Sequence, residues 1–205
     1  MTNTEQTTAE LDQPKDTGGQ RLPHVPGDSH MWVMVLGDLF IFGAYFVIFM
    51  IYRTMAPQEF LADQQHLDVT VGVVNTIVLL TSSWFIARSV VAVRVAEYDR
   101  AIRLTYLGGA FGVLFILTKA YEWTTEVMHG YTMPSGDFFM FYYMLTGVHL
   151  FHVALGLLIL GIVLRELRNP RKRRTSMAEA GGVYWHMVDL LWIVIFPLLY
   201  LMKAA

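Results

Sequence analysis

Five long blocks of apolar residues, separated by short polar connections, dominate the chain. They cover Met31–Tyr52, Val69–Val91, Leu104–Val127, Phe138–Leu164 and Val183–Met202. A helix needs about 20 residues to cross the hydrocarbon core of a bilayer. In lipid each segment must also satisfy its own backbone hydrogen bonds, which so few segments achieve only as helices. The pattern predicts an all-α integral membrane protein whose five transmembrane helices form a bundle.

Composition agrees with this class. Of the 205 residues, 55% are hydrophobic and 16% are charged, whereas a soluble domain carries about a quarter charged residues. The chain contains no cysteine, which excludes disulfides, thiolate metal sites and a thiolate-bridged copper centre.

The segment 1–30 differs sharply from the blocks that follow. It is polar, rich in Thr, Pro, Gly and acidic residues, and has neither the basic start nor the short apolar core of a secretion signal. We interpret it as a disordered cytoplasmic tail, followed by one membrane domain over 31–205.

Lysine and arginine are distributed unevenly between the two sides of the predicted bundle. The N-terminal segment, the second-to-third connection and the fourth-to-fifth connection together hold twelve of the 15. Basic residues favour the cytoplasmic side, so we expect a cytoplasmic N-terminus and an external C-terminus. The basic run Arg165–Arg174 is interpreted as a topology determinant that contacts lipid headgroups, and no nucleic-acid partner is expected.

Several ionisable residues lie inside the predicted spans, where each needs a partner or a task. Lys119 and Glu122 are three residues apart on one helix and are expected to pair. Asp38 lies about seven residues into the first span without a neighbouring opposite charge. A hydrogen bond from its protonated carboxyl to a histidine or hydroxyl of another helix is expected, and both a structural and a proton-related role are open.

Histidines and acids recur at a spacing of three on the last two spans, as His149 with His152 and His186 with Asp189. The second pair is placed near the cytoplasmic end of its helix. Helical bundles build metal sites from related pairs, but we expect these histidines to be hydrogen-bonded by carboxylates and hydroxyls of neighbouring helices. No metal, cofactor or catalytic residue is assigned to the chain.

Glycine, tryptophan and proline add three local expectations. Gly108, Gly109 and Gly112 are expected to permit close helix contact. Pro197 is expected to produce a local kink. The five tryptophans lie mainly at span ends, as interfacial anchors do; they are Trp32, Trp84, Trp123, Trp185 and Trp192.

Three functions remain open from the residues alone. The chain could be an accessory subunit of a larger complex, a membrane metalloenzyme built on the intramembrane histidines, or a proton channel centred on Asp38. The transporter and channel alternative is weakened because the chain has no evident internal repeat.

Five stretches resemble subunit III of the haem–copper oxidases, in the order of that family. They are VLGDLFIFGAYF, NTIVLLTSS, KAYEW, FFMFYYMLTGVHLFHVALG and YWHMVDLLWI. Each is weak alone, but five in register are specific, and the resemblance extends over Pro26–Leu201.

The resemblance implies a bundle like the last five helices of cytochrome c oxidase subunit III, with a lipid-filled cleft, in a bacterial plasma membrane. It implies a non-catalytic accessory subunit that stabilises the catalytic subunit and supports proton uptake. Haem and copper are expected in that partner, and bound phospholipid in this chain. The family's buried polar positions would correspond to Asp38, Glu122, His149, His152, His186 and Asp189.

Two features distinguish this chain from the long form of the family. That form has seven helices, and its intramembrane acid at the position of Asp38 is usually Glu. The beginning and end of the chain are most similar to the NorE-type branch, which is linked to nitric oxide reductase. The resemblance therefore leaves open whether the partner reduces oxygen or nitric oxide.

Overall fold

The computed structural model describes residues 29–202, and these form a bundle of long helices. The chain runs through α1 (Ser29–Met55), α2 (Pro57–Gln64), α3 (Val69–Arg94), α4 (Tyr98–Met128), α5 (Asp137–Arg168) and α6 (Thr175–Phe196). A 3-10 turn, Met133–Ser135, precedes α5, and a π-helical segment, Pro197–Leu201, follows α6. Within this part of the chain, five helices are long and apolar enough to cross a membrane, as predicted.

The observed helices extend beyond the predicted spans at several ends. α4 has 31 residues and α5 has 32, so each is about 46–48 Å long at 1.5 Å per residue. The hydrocarbon core is only about 30 Å thick, and polar helix ends therefore reach into the headgroup layer. α1 starts two residues before the predicted span, and the rest of the predicted tail, residues 1–28, lies outside the described residues.

Short helix α2 is the one helix of the described chain that the apolar pattern does not predict. It has eight residues and begins at Pro57, which suits the first turn of a helix because proline lacks an N–H there. Its buried Gln64 donates to the backbone carbonyls of Leu198 and Leu199, at 3.3 and 2.8 Å. Arg53 also bonds the Gln64 amide oxygen and the Met202 carbonyl. α2 therefore fixes the end of the last helix.

The sequence predicts a kink at Pro197, and the helix type changes at that residue. The α-helical hydrogen bonds of α6 end at Phe196, and π-helical bonds continue to Leu201. Proline has no N–H and cannot donate the α-helical bond to the Ile193 carbonyl. The carbonyls of Leu198 and Leu199 lie in the last turn of the π-helical segment, where carbonyls need donors from outside the helix, and Gln64 donates to both.

α6 is the central helix of the bundle and packs against α1, α3 and α5. It starts at Thr175, eight residues before the predicted span, because its first turns are buried by close contacts. Gly181 faces Val163 and Ile159, and Gly182 faces Val90. His186 and Asp189 therefore lie near the middle of the 27-residue span Thr175–Leu201, and their predicted place near the cytoplasmic end is wrong.

Trp185 fills a slot between α4 and α5 at the centre of the bundle. A Cβ on Gly112 would lie 2.6 Å from its ring, and a Cβ on Gly156 would lie 2.8 Å from it. The indole nitrogen donates to the Ser82 hydroxyl at 3.0 Å. The prediction of close helix contact is confirmed for Gly112 and for Gly108, whose Cβ would lie 2.5 Å from Ile86, but not for Gly109, whose nearest neighbour would be 3.9 Å away. Trp185 and Trp192 are core residues with no exposure and not interfacial anchors.

Candidate functional site

A buried polar cluster surrounds Lys119 in the half of α4 that is remote from the arginine-rich α3–α4 and α5–α6 connections. Lys119 Nζ lies 3.0 Å from Glu122 Oε1, so the predicted pair forms. The ammonium also donates to the hydroxyls of Tyr142, at 3.2 Å, and Tyr200, at 2.6 Å. An ammonium has three N–H donors, and all three are therefore used within the cluster.

Glu122 completes the cluster as its acceptor. Its Oε1 accepts from Lys119 and from the hydroxyls of Tyr142, at 2.8 Å, and Tyr200. The ring of Trp192 adds a cation–π contact to Lys119 at 5.4 Å. Three segments, α4, α5 and the π-helical turn, are thus joined through one buried and formally neutral unit. Such a unit stabilises an arrangement of helices, because separating its members would leave a buried charge alone.

Asp38 and His152 form a second polar pair, between α1 and α5. His152 Nε2 lies 3.5 Å from Asp38 Oδ1, at the long limit of a hydrogen bond. The Asp38 side chain is 20% exposed and the His152 side chain is 13% exposed. The predicted neighbour for Asp38, a histidine on another helix, is confirmed.

The other ring nitrogen of His152 bonds to the backbone of its own helix. His152 Nδ1 lies 2.7 Å from the Val148 carbonyl oxygen, which can only accept, so Nδ1 carries a hydrogen. Nε2, on the opposite side of the ring, faces Asp38 Oδ1. The imidazole therefore joins α1 to α5 through its two nitrogens.

A third polar group joins α3 and α6. The Ser83 hydroxyl lies 2.6 Å from His186 Nδ1, which confirms the expected hydroxyl partner for that histidine. The carboxylate of Asp189 lies beside Ser83 but forms no hydrogen bond of regular geometry with a described residue.

His149 contradicts the prediction that each buried histidine has a polar partner. Its ring is completely buried, and neither nitrogen bonds to any residue that the structure describes. It packs instead against the ring of Phe115, with centroids 5.5 Å apart, and that of Trp192, at 5.2 Å. His149 precedes His152 by three residues on α5. It faces the aromatic core, whereas His152 faces α1.

Sequence reasoning missed three members of these groups. Tyr142 and Tyr200 were not distinguished from other aromatic residues, although Tyr142 lies in one of the five stretches that carry the family resemblance. Glu126 lies one turn beyond Glu122 and is 6% exposed. A signal for Glu126 was present, because the spacing of Lys119, Glu122 and Glu126 places all three on one helix face.

The six predicted polar positions are distributed over separate places and not gathered into one site. Asp38 pairs with His152, Glu122 lies in the lysine cluster, His186 bonds Ser83, and His149 lies among aromatic rings. Over residues 29–202, no group of three or more histidine or acidic side chains has the geometry to hold a metal ion. The arrangement can tie helices together, and at Asp38 and His152 it places an acid beside an imidazole inside a span.

A comparison with known protein families identifies the family of the chain. The sequence model of the family described as "Cytochrome c oxidase subunit III" matches residues 28–204. The chain belongs to this family. The resemblance seen in the five sequence stretches is thereby confirmed for the family.

Individual relatives support the same assignment to the subunit III family. A protein of Thermostichus vulcanus named "Cytochrome c oxidase subunit 3" is 31% identical, over 83% of this chain and 84% of its own length. The protein of the same name from Synechocystis sp. is 32% identical, over 87% of this chain and 82% of its own length.

A third relative, from Aeropyrum pernix, is much longer. It is named "Heme-copper oxidase subunit I+III" and is 32% identical over 84% of this chain. The match covers 22% of that protein. The present chain therefore spans about a fifth of the length of the Aeropyrum pernix protein.

Proposed function

We propose that this chain is the non-catalytic subunit III of a bacterial haem–copper terminal oxidase. In this role it binds and stabilises the catalytic subunit in the plasma membrane and supports proton uptake. The observation that carries the proposal is the family match over residues 28–204, together with two relatives that are named as oxidase subunits and match over more than four fifths of their length.

The Aeropyrum pernix protein supports a catalytic partner. Its name joins subunits I and III, and this chain matches about a fifth of it. The catalytic subunit is thus the partner proposed here, with haem and copper held in that subunit and none in this chain. Bound phospholipid remains part of the proposal.

The buried groups support a scaffolding role. Lys119, Glu122 and the two tyrosines form a neutral unit that joins three segments, and the Trp185 slot fixes α6 between α4 and α5. Side chains of this kind hold helices in a defined arrangement, which a supporting subunit needs.

The pair of Asp38 and His152 supports the proton-related part of the proposal. It lies inside a span, is partly exposed at the bundle surface and places a carboxyl group beside an imidazole. An intramembrane ionisable pair of this kind is a functional position by default.

The test is a pull-down of the tagged chain from its own membranes in mild detergent, followed by a reduced-minus-oxidised haem spectrum and gas-consumption assays. Membranes that carry the untagged chain are the control. Co-purified haem and oxygen consumption are expected. A preference for nitric oxide would instead favour the NorE-type alternative, and a colourless chain that emerges alone would contradict the accessory role.

Metal analysis of the same preparations separates the remaining alternative. The accessory proposal expects iron and copper to follow the partner subunit and to be lost when that subunit is removed. Stoichiometric metal retained by the separated chain would favour a metalloenzyme.

A further inference from the structure

A crevice of about 360 Å³ opens between the α3–α4 and α5–α6 connections. Its walls carry Glu97, Tyr98, Asp99, Arg100, Arg103 and Arg173. The buried polar groups that support the proposed function lie elsewhere in the bundle, so the scaffolding and proton-related roles do not explain this surface.

Arg173 is oriented on one wall of the crevice by two contacts. Its Nε donates to the Leu167 carbonyl oxygen at 2.9 Å, and its guanidinium lies 4.1 Å from the centre of the Tyr98 ring. Neither terminal nitrogen of Arg173 bonds to a residue within 29–202. A guanidinium held in this way can offer two parallel donors, which match the two oxygens of a carboxylate.

Arg103 provides a second guanidinium with unused donors. Within the described chain it makes one hydrogen bond, from Nε to the Asp99 carbonyl oxygen at 3.4 Å. Arg100 differs, because it is already paired with Glu97 at 2.9 Å. Asp99 then supplies one carboxylate for two arginines, so the crevice keeps a net positive charge and attracts acidic groups.

The segment that precedes α1 has the opposite charge. Residues 1–28 contain five acidic and two basic residues, a net charge of −3 with His24 neutral, and three of the acids fall within the stretch Glu10–Asp16. Successive spans run in opposite directions, so α1 begins on the side of the membrane where α4 begins and α5 ends. The acidic stretch and the crevice therefore share one side of the membrane.

Residues 17–28 are long enough to bring the acidic stretch to the crevice. Helix α5 packs against both α1 and α4, so the start of α1 lies two helix spacings from the crevice, about 16–20 Å at 8–10 Å each. A coil of this length has an r.m.s. end-to-end distance of about 20 Å. A connection whose r.m.s. length matches the span gives the highest effective concentration, of millimolar order for short connections. Even a weak contact would then be populated.

We propose that the acidic stretch Glu10–Asp16 binds in the crevice of its own chain, where Arg103 and Arg173 hold its carboxylates. Arginine–carboxylate pairs form charge-assisted hydrogen bonds, which are stronger than neutral ones. The stretch offers three carboxylates and one lysine, so it keeps the negative charge that the crevice attracts. The contact fastens the N-terminal segment across the two connections that join α3 to α4 and α5 to α6.

The test measures the distance between the N-terminal segment and the crevice in the full chain. Because the chain contains no cysteine, spin labels can be attached at Thr8→Cys and at Val95→Cys, which lies beside the crevice and is 61% exposed. Pulsed electron paramagnetic resonance in phosphatidylcholine nanodiscs should show a narrow population at short distance. Arg103→Glu with Arg173→Glu should lower the ratio of this population to a broad one at least about tenfold, as expected when charge-assisted hydrogen bonds are lost.

The matched control is Arg165→Glu with Arg171→Glu, which makes the same change of charge at exposed positions outside the crevice. It should change the ratio less than about threefold, because exposed charges contribute little. Equal losses in the crevice and control variants, or no loss in either, would overturn the proposal, since the attraction would not depend on the crevice.

An exchange of charges tests the pairing itself. Glu10→Arg with Asp12→Arg should also release the N-terminal segment, and combining it with the two crevice substitutions should restore the short-distance population. Failure to restore it in a folded chain would contradict the pairing. If the crevice substitutions disturb folding, Glu10→Arg with Asp12→Arg decides alone, because these positions lie outside the bundle of residues 29–202, and an unchanged population would refute the proposal.

A competing occupant is tested by adding phosphatidylglycerol to the nanodiscs. A short-distance population that persists supports the acidic stretch as the ligand of the crevice. Loss of that population would show that lipid headgroups take its place and would overturn the proposal.

Discussion

Lys119 and Glu122 are joined by a 3.0 Å contact between Nζ and Oε1, while their side chains are only 1% and 5% exposed. Sequence spacing places the two residues on one face of α4, but their burial depends on Tyr142 and Tyr200 from other segments. The charges are stable in this position because each is satisfied by the other and by two hydroxyl groups.

The first prediction concerns the coupling of these two charges. Lys119→Met and Glu122→Gln should each lower the free energy of unfolding by about 3–5 kcal/mol, because each leaves a buried partner charge uncompensated. The double variant should lose much less than the sum. Unfolding of the three variants in detergent measures this as a double-mutant cycle, and additive losses would show that the pair is not coupled.

The second prediction concerns the hydroxyl of Tyr200. Tyr200→Phe should destabilise the chain by about 1–3 kcal/mol, because the buried Lys119 and Glu122 each lose a hydrogen-bond partner. Tyr121→Phe is the control, since Tyr121 is on the same helix as Lys119 but is 70% exposed. Thermal unfolding should separate the two variants, and equal melting temperatures would contradict a role for the hydroxyl.

The third prediction tests the slot for Trp185. Gly112→Ala should cost about 1–3 kcal/mol, because a Cβ at 2.6 Å from a fully buried ring forces the core to shift. Gly37→Ala has no atom within 4 Å of the added Cβ and should leave the stability of the isolated chain unchanged or slightly raised. Equal destabilisation by both changes would show that the contact at Trp185 is not responsible.

The fourth prediction concerns the link between α2 and the π-helical turn. Gln64→Leu removes the donors to the carbonyls of Leu198 and Leu199, so the turn after Pro197 should open more readily. Hydrogen exchange of the backbone amides in 198–202 should become at least about tenfold faster, as expected when buried hydrogen bonds are lost. Gln65→Leu is the control, because Gln65 is the exposed neighbour; similar exchange in both variants would count against the link.

The fifth prediction concerns Asp38 in the assembled complex. Asp38→Asn keeps the shape of the side chain but removes its titratable group, so proton uptake by the complex should slow. Turnover should remain detectable, since the proposed function places every redox centre in the partner. Asp137→Asn, at an exposed position at the start of α5, is the control, and complete loss of turnover in an intact Asp38 variant would refute a purely supporting role.

Several features of this protein were determined by the sequence alone. The length and apolarity of five segments required membrane-spanning helices, because lipid offers the backbone no other hydrogen-bond partners. The spacing of three residues was sufficient to pair Lys119 with Glu122, since neighbours at that distance share a helix face. Five short stretches in a fixed order were sufficient to identify the subunit III family.

Only the tertiary structure decided which neighbours each polar residue has. His149 and His152 are separated by one helical turn, yet one packs among aromatic rings and the other meets Asp38. Tyr200 reaches Lys119 from the π-helical segment after Pro197, and Gln64 bonds the backbone of the same segment. The physical reason is that helix periodicity fixes which residues share a face of one helix. Contacts between helices depend instead on how the helices rotate and pack against one another. Close contacts such as those of Trp185 with Gly112 and Gly156 determine that packing.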